Sequence, residues 1–134
     1  MITLELARRL SSAGQAWNPA PGDRFVVPDR GMDEDVFLVS EMVVEVQHLS
    51  TGSVLRFNGT TEWALDSIEQ SAVVWLPREE QLRELLGDTF VSLASTPGGC
   101  IVDVEINGMS ERHIDVDAER AYARALVSVL ETSR

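Results

Sequence analysis

At 134 residues the chain has the length of one domain built on a single hydrophobic core, and its 44% apolar and 25% charged residues are those of a folded globular protein. Its basic side chains are eleven arginines with no lysine, which excludes a P-loop, a lysine Schiff base and a protein-kinase site, since each of these uses an amine. A net charge of −11 argues against nucleic acid as a partner, because binding to a phosphate backbone draws on clustered cations.

No stretch approaches the ~18 consecutive apolar residues of a membrane span. Residues Met1 to Leu10 lack the basic start, apolar centre and small-residue cleavage site of a secretory signal. Cys100 is the single cysteine, so no intrachain disulfide forms, which fits a reducing compartment. The expectation is a cytoplasmic protein. Charge is unevenly spread: Gly31 to Glu80 holds ten acids against Arg56 and Arg78, whereas Met1 to Arg30 holds four arginines against three acids.

Thr3 is placed to cap a first helix with Leu4, Leu6, Ala7 and Leu10 at helical spacing and Gly14 at its end. Pro19, Pro21 and Gly22 then break regular structure, and Arg24 to Val27 reads as a strand stopped by Pro28. The polar run from Asp29 to Asp35 reads as a loop into a strand over Val36 to Ser40. Met42 to Leu49 and Val54 to Phe57 alternate as two antiparallel strands about the turn from Ser50 to Ser53. Thr60 or Thr61 is placed to cap a short helix containing Trp63, Ala64, Leu65 and Ile68. Ala72 to Leu76 suits a buried strand or an extended link.

Pro77 suits the first position of a middle helix with Leu82, Leu85 and Leu86 on one stripe, Glu79 and Glu80 in its first turn and Gly87 past its end. Asp88 to Ser95 and Cys100 to Ile106 read as strands about the turn from Thr96 to Gly99. Met109 to Ile114 is too polar to assign. A final helix capped by Asp115 or Asp117 sets Ala118, Ala121, Tyr122, Ala125, Leu126, Val129 and Leu130 on one face, with Arg120 and Arg124 on the other, facing water. The expected fold is a single α+β domain over residues 1–134: a mostly antiparallel sheet of about five to seven strands, with N-terminal, middle and C-terminal helices packed on it.

No catalytic signature stands out, and no catalytic residue, metal ligand or cofactor is assigned. Asp29, Asp33, Glu34 and Asp35 suggest a calcium loop, but an EF-hand starting at Asp29 would have glycine where Glu34 stands and glutamate where Ser40 stands, so the reading is a solvated loop. His48 and His113 are too far apart in sequence to form a zinc motif with each other. Cys100 after Gly98-Gly99 reads as a small buried cysteine, with no local motif for a nucleophile. Asn58-Gly59-Thr60-Thr61 suits an anion seat at a helix start, although capping alone requires the same residues. Trp17, Trp63 and Trp75 each carry a large apolar area with one polar handle, Trp17 standing in a proline-rich turn where it would meet a partner.

The strings Trp17-Asn18-Pro19, Pro21 to Phe25, Phe57 to Thr60, Trp63 to Asp66 and Trp75 to Arg78 resemble those of a family of small uncharacterised actinobacterial proteins, over most of the chain. Some members bear a label linking them to a pilus-assembly ATPase, an activity that would need the P-loop lysine this chain lacks. The resemblance implies no catalytic residues, and an arginine-only basic set is what a high-GC genome produces.

Three functions follow as expectations. The first is a non-enzymatic interaction or accessory module binding another protein, or a second copy as a homodimer, through an acidic sheet face, with Asp33, Glu34 and Asp35, or through the surface around Trp17 and Trp63. The second is a small enzyme or anionic-ligand domain with a pocket between the sheet and the middle helix, where Arg56, Arg78, Trp63 and Trp75 would hold the ligand. The third is an acidic DNA mimic.

Overall fold

The computed structural model describes residues 1–28, 32–39, 45–49, 52–56, 67–69 and 72–133, and of residues 32–34 and the strands between 45 and 69 the backbone alone. Among these residues three α-helices and nine strands follow one another as α1 (Leu4–Ser12), β1 (Arg24–Val27), β2 (Met32–Leu38), β3 (Glu45–Leu49), β4 (Gly52–Arg56), β5 (Ser67–Glu69), β6 (Val74–Leu76), α2 (Glu79–Leu86), β7 (Phe90–Thr96), β8 (Gly99–Ile106), β9 (Met109–Asp115) and α3 (Ala118–Thr132). The fold is α+β, and the strand pairs among the described residues are antiparallel.

The single sheet of five to seven strands is not what forms. Among the described residues the strands pair as three sheets of three, in the orders β2-β1-β6, β3-β4-β5 and β7-β8-β9. Proline cannot donate to a ladder. Pro28 follows β1 directly and Pro77 follows β6 directly, so both strands stop short and the ladder cannot extend along them.

The chain divides into two compact units, residues 17–76 and the combination of residues 1–16 with 77–134. In the first, Phe25, Val27, Val39 and Val73 form a buried cluster against which Trp17, Phe37 and Ala72 pack. The segment expected as a loop from Asp29 to Asp35 is strand β2 from Met32 on. Phe25 stands opposite Phe37 but Val27 opposite Met32, so Asp33 to Val36 occupy a bulge facing Val26 and the acids cost the ladder little. Ile68, expected in a short helix, lies in β5 opposite Leu55, where a β-branched side chain fits a pleated ladder. The rest of that helix, Trp63 to Asp66, lies outside the described residues.

In the second unit, Thr3 Oγ accepts the Leu6 N–H at the start of α1, and Leu6, Ala7 and Leu10 are buried. The middle helix starts two residues later than the proline suggests, because Arg78 keeps an extended backbone and its N–H donates to Gln81 Oε1 at 2.9 Å. The unassigned stretch Met109 to Ile114 is strand β9, paired along its whole length with β8. Its polar residues are those of an edge strand, and this hid it from a search for apolar alternation. Gly99 sits at φ +135°, and a β-carbon there would lie 2.7 Å from the Asp115 carbonyl oxygen. Only glycine lets β8 start this close to the end of β9.

Helix α3 packs on β8 and β9 and also against α1 and α2. This second set of neighbours explains why its burial exceeds the one expected stripe, since Ala123 and Val127 are buried along with Ala121, Tyr122, Ala125 and Leu126. With Val102, Val104 and Ile106 of β8 and Leu82 and Leu86 of α2, these residues make the core of the unit.

Candidate functional site

Trp17 and Trp75 pack against each other in the first unit. Trp17 is half-buried, stacks on Trp75 at 6.2 Å between ring centroids, and lies 5.9 Å from Phe25. Its indole N–H donates to Asp23 Oδ2 at 2.9 Å, and the same oxygen accepts the Ala20 N–H at 3.0 Å. Asp23 is 2% exposed, so Trp17 and Ala20 satisfy a carboxylate that would otherwise be costly to bury. The turn and the tryptophan thereby hold each other in place.

Arg78 gives its Nε–H to Glu80 Oε1 at 2.6 Å and is thus tied to the first turn of α2. Asp35 is exposed on β2. Asp33 and Glu34 stand in the same strand, Arg56 ends β4 opposite Glu45 and Ser67, and His48 stands in β3 opposite Ser53. The side chains of these four, and all of Trp63 and of the segment from Asn58 to Thr61, lie outside the described residues. Among the described residues no three His, Cys, Asp or Glu side chains are grouped to hold a metal ion, and no helix is long and apolar enough to cross a membrane. A cleft of about 480 Å³ runs along α1, lined by Leu4, Glu5, Arg8, Arg9, Ser12, Ala13 and Glu131. None of the residues proposed from the sequence lines it.

The sheet β7-β8-β9 joins residues that sequence reasoning left apart. On the face under α3, β9 is latched to the helix by polar contacts. Asp115 accepts from Arg124 Nε at 3.0 Å and lies 3.3 Å from Arg120 Nε, so the two arginines expected to face water cap the end of the strand. Burial alone would raise the Asp115 pKa, but the Arg124 bond, the Asp117 N–H and the two guanidinium charges outweigh it and hold the carboxyl below its usual range. Two residues earlier His113 Nε2 lies 3.0 Å from Glu111 Oε1, and Ser128 of α3 donates its hydroxyl to the same oxygen at 2.5 Å. The Ser128 bond, then His113, lower the Glu111 pKa. Both the hydroxyl and the imidazole meet the carboxylate rather than each other, so the three do not form a relay that would activate Ser128 as a nucleophile.

The opposite edge is built otherwise. Phe90 anchors the start of β7, with the Arg83 guanidinium 3.6 Å above its ring centroid and the Tyr122 ring 5.9 Å away. Beyond it the strand emerges: Val91 is 57% exposed, Leu93 40%, and Ala94, Ser95 and Thr96 are exposed as well. Among the described residues β7 is the outer strand of its sheet and pairs with β8 alone. Its outward N–H and C=O groups therefore have no ladder partner among the described residues. From Thr89 to Val102 the sequence carries no charged residue, although a quarter of the chain is charged. Natural edge strands are usually guarded by charge, proline or cover, and β7 from Ser92 to Thr96 carries no charge or proline and has no covering strand among the described residues.

On the open face of the sheet, Ala94, Ile101 and Ile114 stand side by side across the three strands, and Ile114 is 55% exposed. The adjacent row is Ser92, Asp103 and Arg112. There Arg112 Nε donates to Asp103 Oδ1 at 3.0 Å, and Ser92 donates to Oδ2 at 3.3 Å. The Arg112 bond holds the Asp103 carboxyl below its usual range, so this charge on the strand beside β7 is compensated. The uncharged run was visible in the sequence. What it lacked there was the strand order that makes β7 an edge.

Comparison with protein-family models, with curated proteins and with solved structures finds no match.

Proposed function

We propose that the chain is a non-enzymatic interaction module whose contact element is the β7 edge, where a partner adds a strand. The reading is supported above all by one observation: an outer strand with no second ladder partner among the described residues lies in the longest uncharged stretch of the second unit and exposes Val91 and Leu93. Strand addition draws affinity from main-chain hydrogen bonds and specificity from alternate side chains. Here Leu93 and Ser95 would offer one face to the incoming strand, and Ser92 and Ala94 the other.

The test is capture from the native host with a matched pair of variants. Val91→Lys with Ser95→Lys places charge on the β7 edge, as natural edge strands do, while Ser110→Lys places it at an exposed site on β9. The reading expects partners that the unmodified chain and the Ser110→Lys variant retain and the β7 variant loses. Equal recovery by all three would contradict it.

A further inference from the structure

We infer that the strand received at β7 is the β7 of a second copy, laid antiparallel about a two-fold axis near Ala94. The inference rests on the strand-addition reading and names the occupant. Two copies each carrying −11 repel, so they associate only where carboxylates are absent or neutralised. The β7 edge meets that condition: no charge lies between Thr89 and Val102, and Asp103, the first acid on the next strand, is paired with Arg112. A basic partner, which the net charge would attract from a distance, finds no carboxylate on this edge to pair with.

The strand is also its own complement. A ladder irregularity near Val91 and the turn at Pro97-Gly98 bound the regular stretch to Ser92–Thr96, whose midpoint is Ala94. A two-fold axis there sets Ala94 beside Ala94 of the partner subunit, with Ser92 facing the partner's Thr96 and Leu93 facing the partner's Ser95. All these side chains are uncharged, and the alanine contact allows close approach. An isologous contact of this kind closes on itself as a dimer and leaves no free β7 edge, joining two three-stranded sheets through their β7 strands.

Sedimentation of the purified chain over a concentration series tests the inference, with Ala94→Lys and Ala94→Glu as variants. Ala94 is exposed, so neither substitution disturbs the core. The expected result is a monomer–dimer equilibrium that shifts toward dimer as salt rises, because screening weakens the repulsion between acidic copies. Each variant alone should be monomeric, since it sets like charges against each other across the axis. An equimolar mixture of the two should dimerise again. A wild-type chain that stays monomeric at every concentration, or a dimer unaffected by either variant, would overturn the inference. If the chain is monomeric while capture of another protein still depends on β7, the second copy is wrong and strand addition stands. If capture is also independent of β7, both fail.

Discussion

β7 and β9 flank the same central strand, yet their chemistry is opposite. β9 carries Glu111, Arg112, His113 and Asp115, and α3 reaches down to it with Ser128, Arg120 and Arg124. β7 carries no charged residue, and its Phe90 lies between Arg83 and Tyr122. A helix that covers both edges would bury the sheet evenly, but α3 lies over β8 and β9. Edge protection here is thus a property of one side of the sheet, and the other side is left with a surface suited to pairing.

The contrast is open to disruption at several levels. The largest effect is expected from Leu126→Ala, which empties a 1% exposed site in the helix that covers the sheet and should cost about 2–5 kcal/mol. Denaturant unfolding of the second unit measures it, and the difference between the edges should vanish because the latch goes with the core. Asp115→Ala should cost about 1–3 kcal/mol by leaving Arg120 and Arg124 without their shared acceptor. Amide exchange should then accelerate in β9 and remain unchanged in β7.

Acid provides a graded version of the same experiment. Glu111 and Asp115 have folded-state pKa values below their unfolded ones. Their contribution is therefore complete above the ordinary carboxylate range and is lost as pH falls through the lowered values. Stability measured down a pH series should decline in that acidic window, less steeply in Glu111→Gln. The smallest effect belongs to Arg112→Ala, whose partner Asp103 sits on an open face. Exposed pairs contribute little, so the melting temperature should barely move, while dimerisation should weaken because an unpaired Asp103 then lies one strand from the axis.

Much of the secondary structure was legible from local chemistry. The cap at Thr3, the stop after Val27, the turn from Thr96 to Gly99, the alternation of Val102, Val104 and Ile106, and the cap at Asp117 each act within a few residues. What failed depends on neighbours distant in sequence. The acids of β2 read as loop because a strand bulge needs β1 to reveal it, and β9 read as nothing because an edge strand follows its partner rather than an apolar pattern. The ion pairs of Arg120 and Arg124 went unread because only the third dimension brings Asp115 beside them. Trp17 closes its own turn through Asp23, a contact that sequence order alone does not display. The uncharged stretch from Thr89 to Val102 was present as a signal, but it gains meaning only once β7 is known to be outermost.

The most direct measurement is hydrogen exchange of the β7 amides, from Val91 to Thr96, as protein concentration rises, with β9 as internal reference. The account predicts that β7 protection increases with concentration in the wild-type chain, that it does not do so in Ala94→Lys, and that β9 is protected equally throughout. Exchange in β7 that ignores concentration, and also ignores addition of host extract, would contradict the claim that this edge accepts a strand.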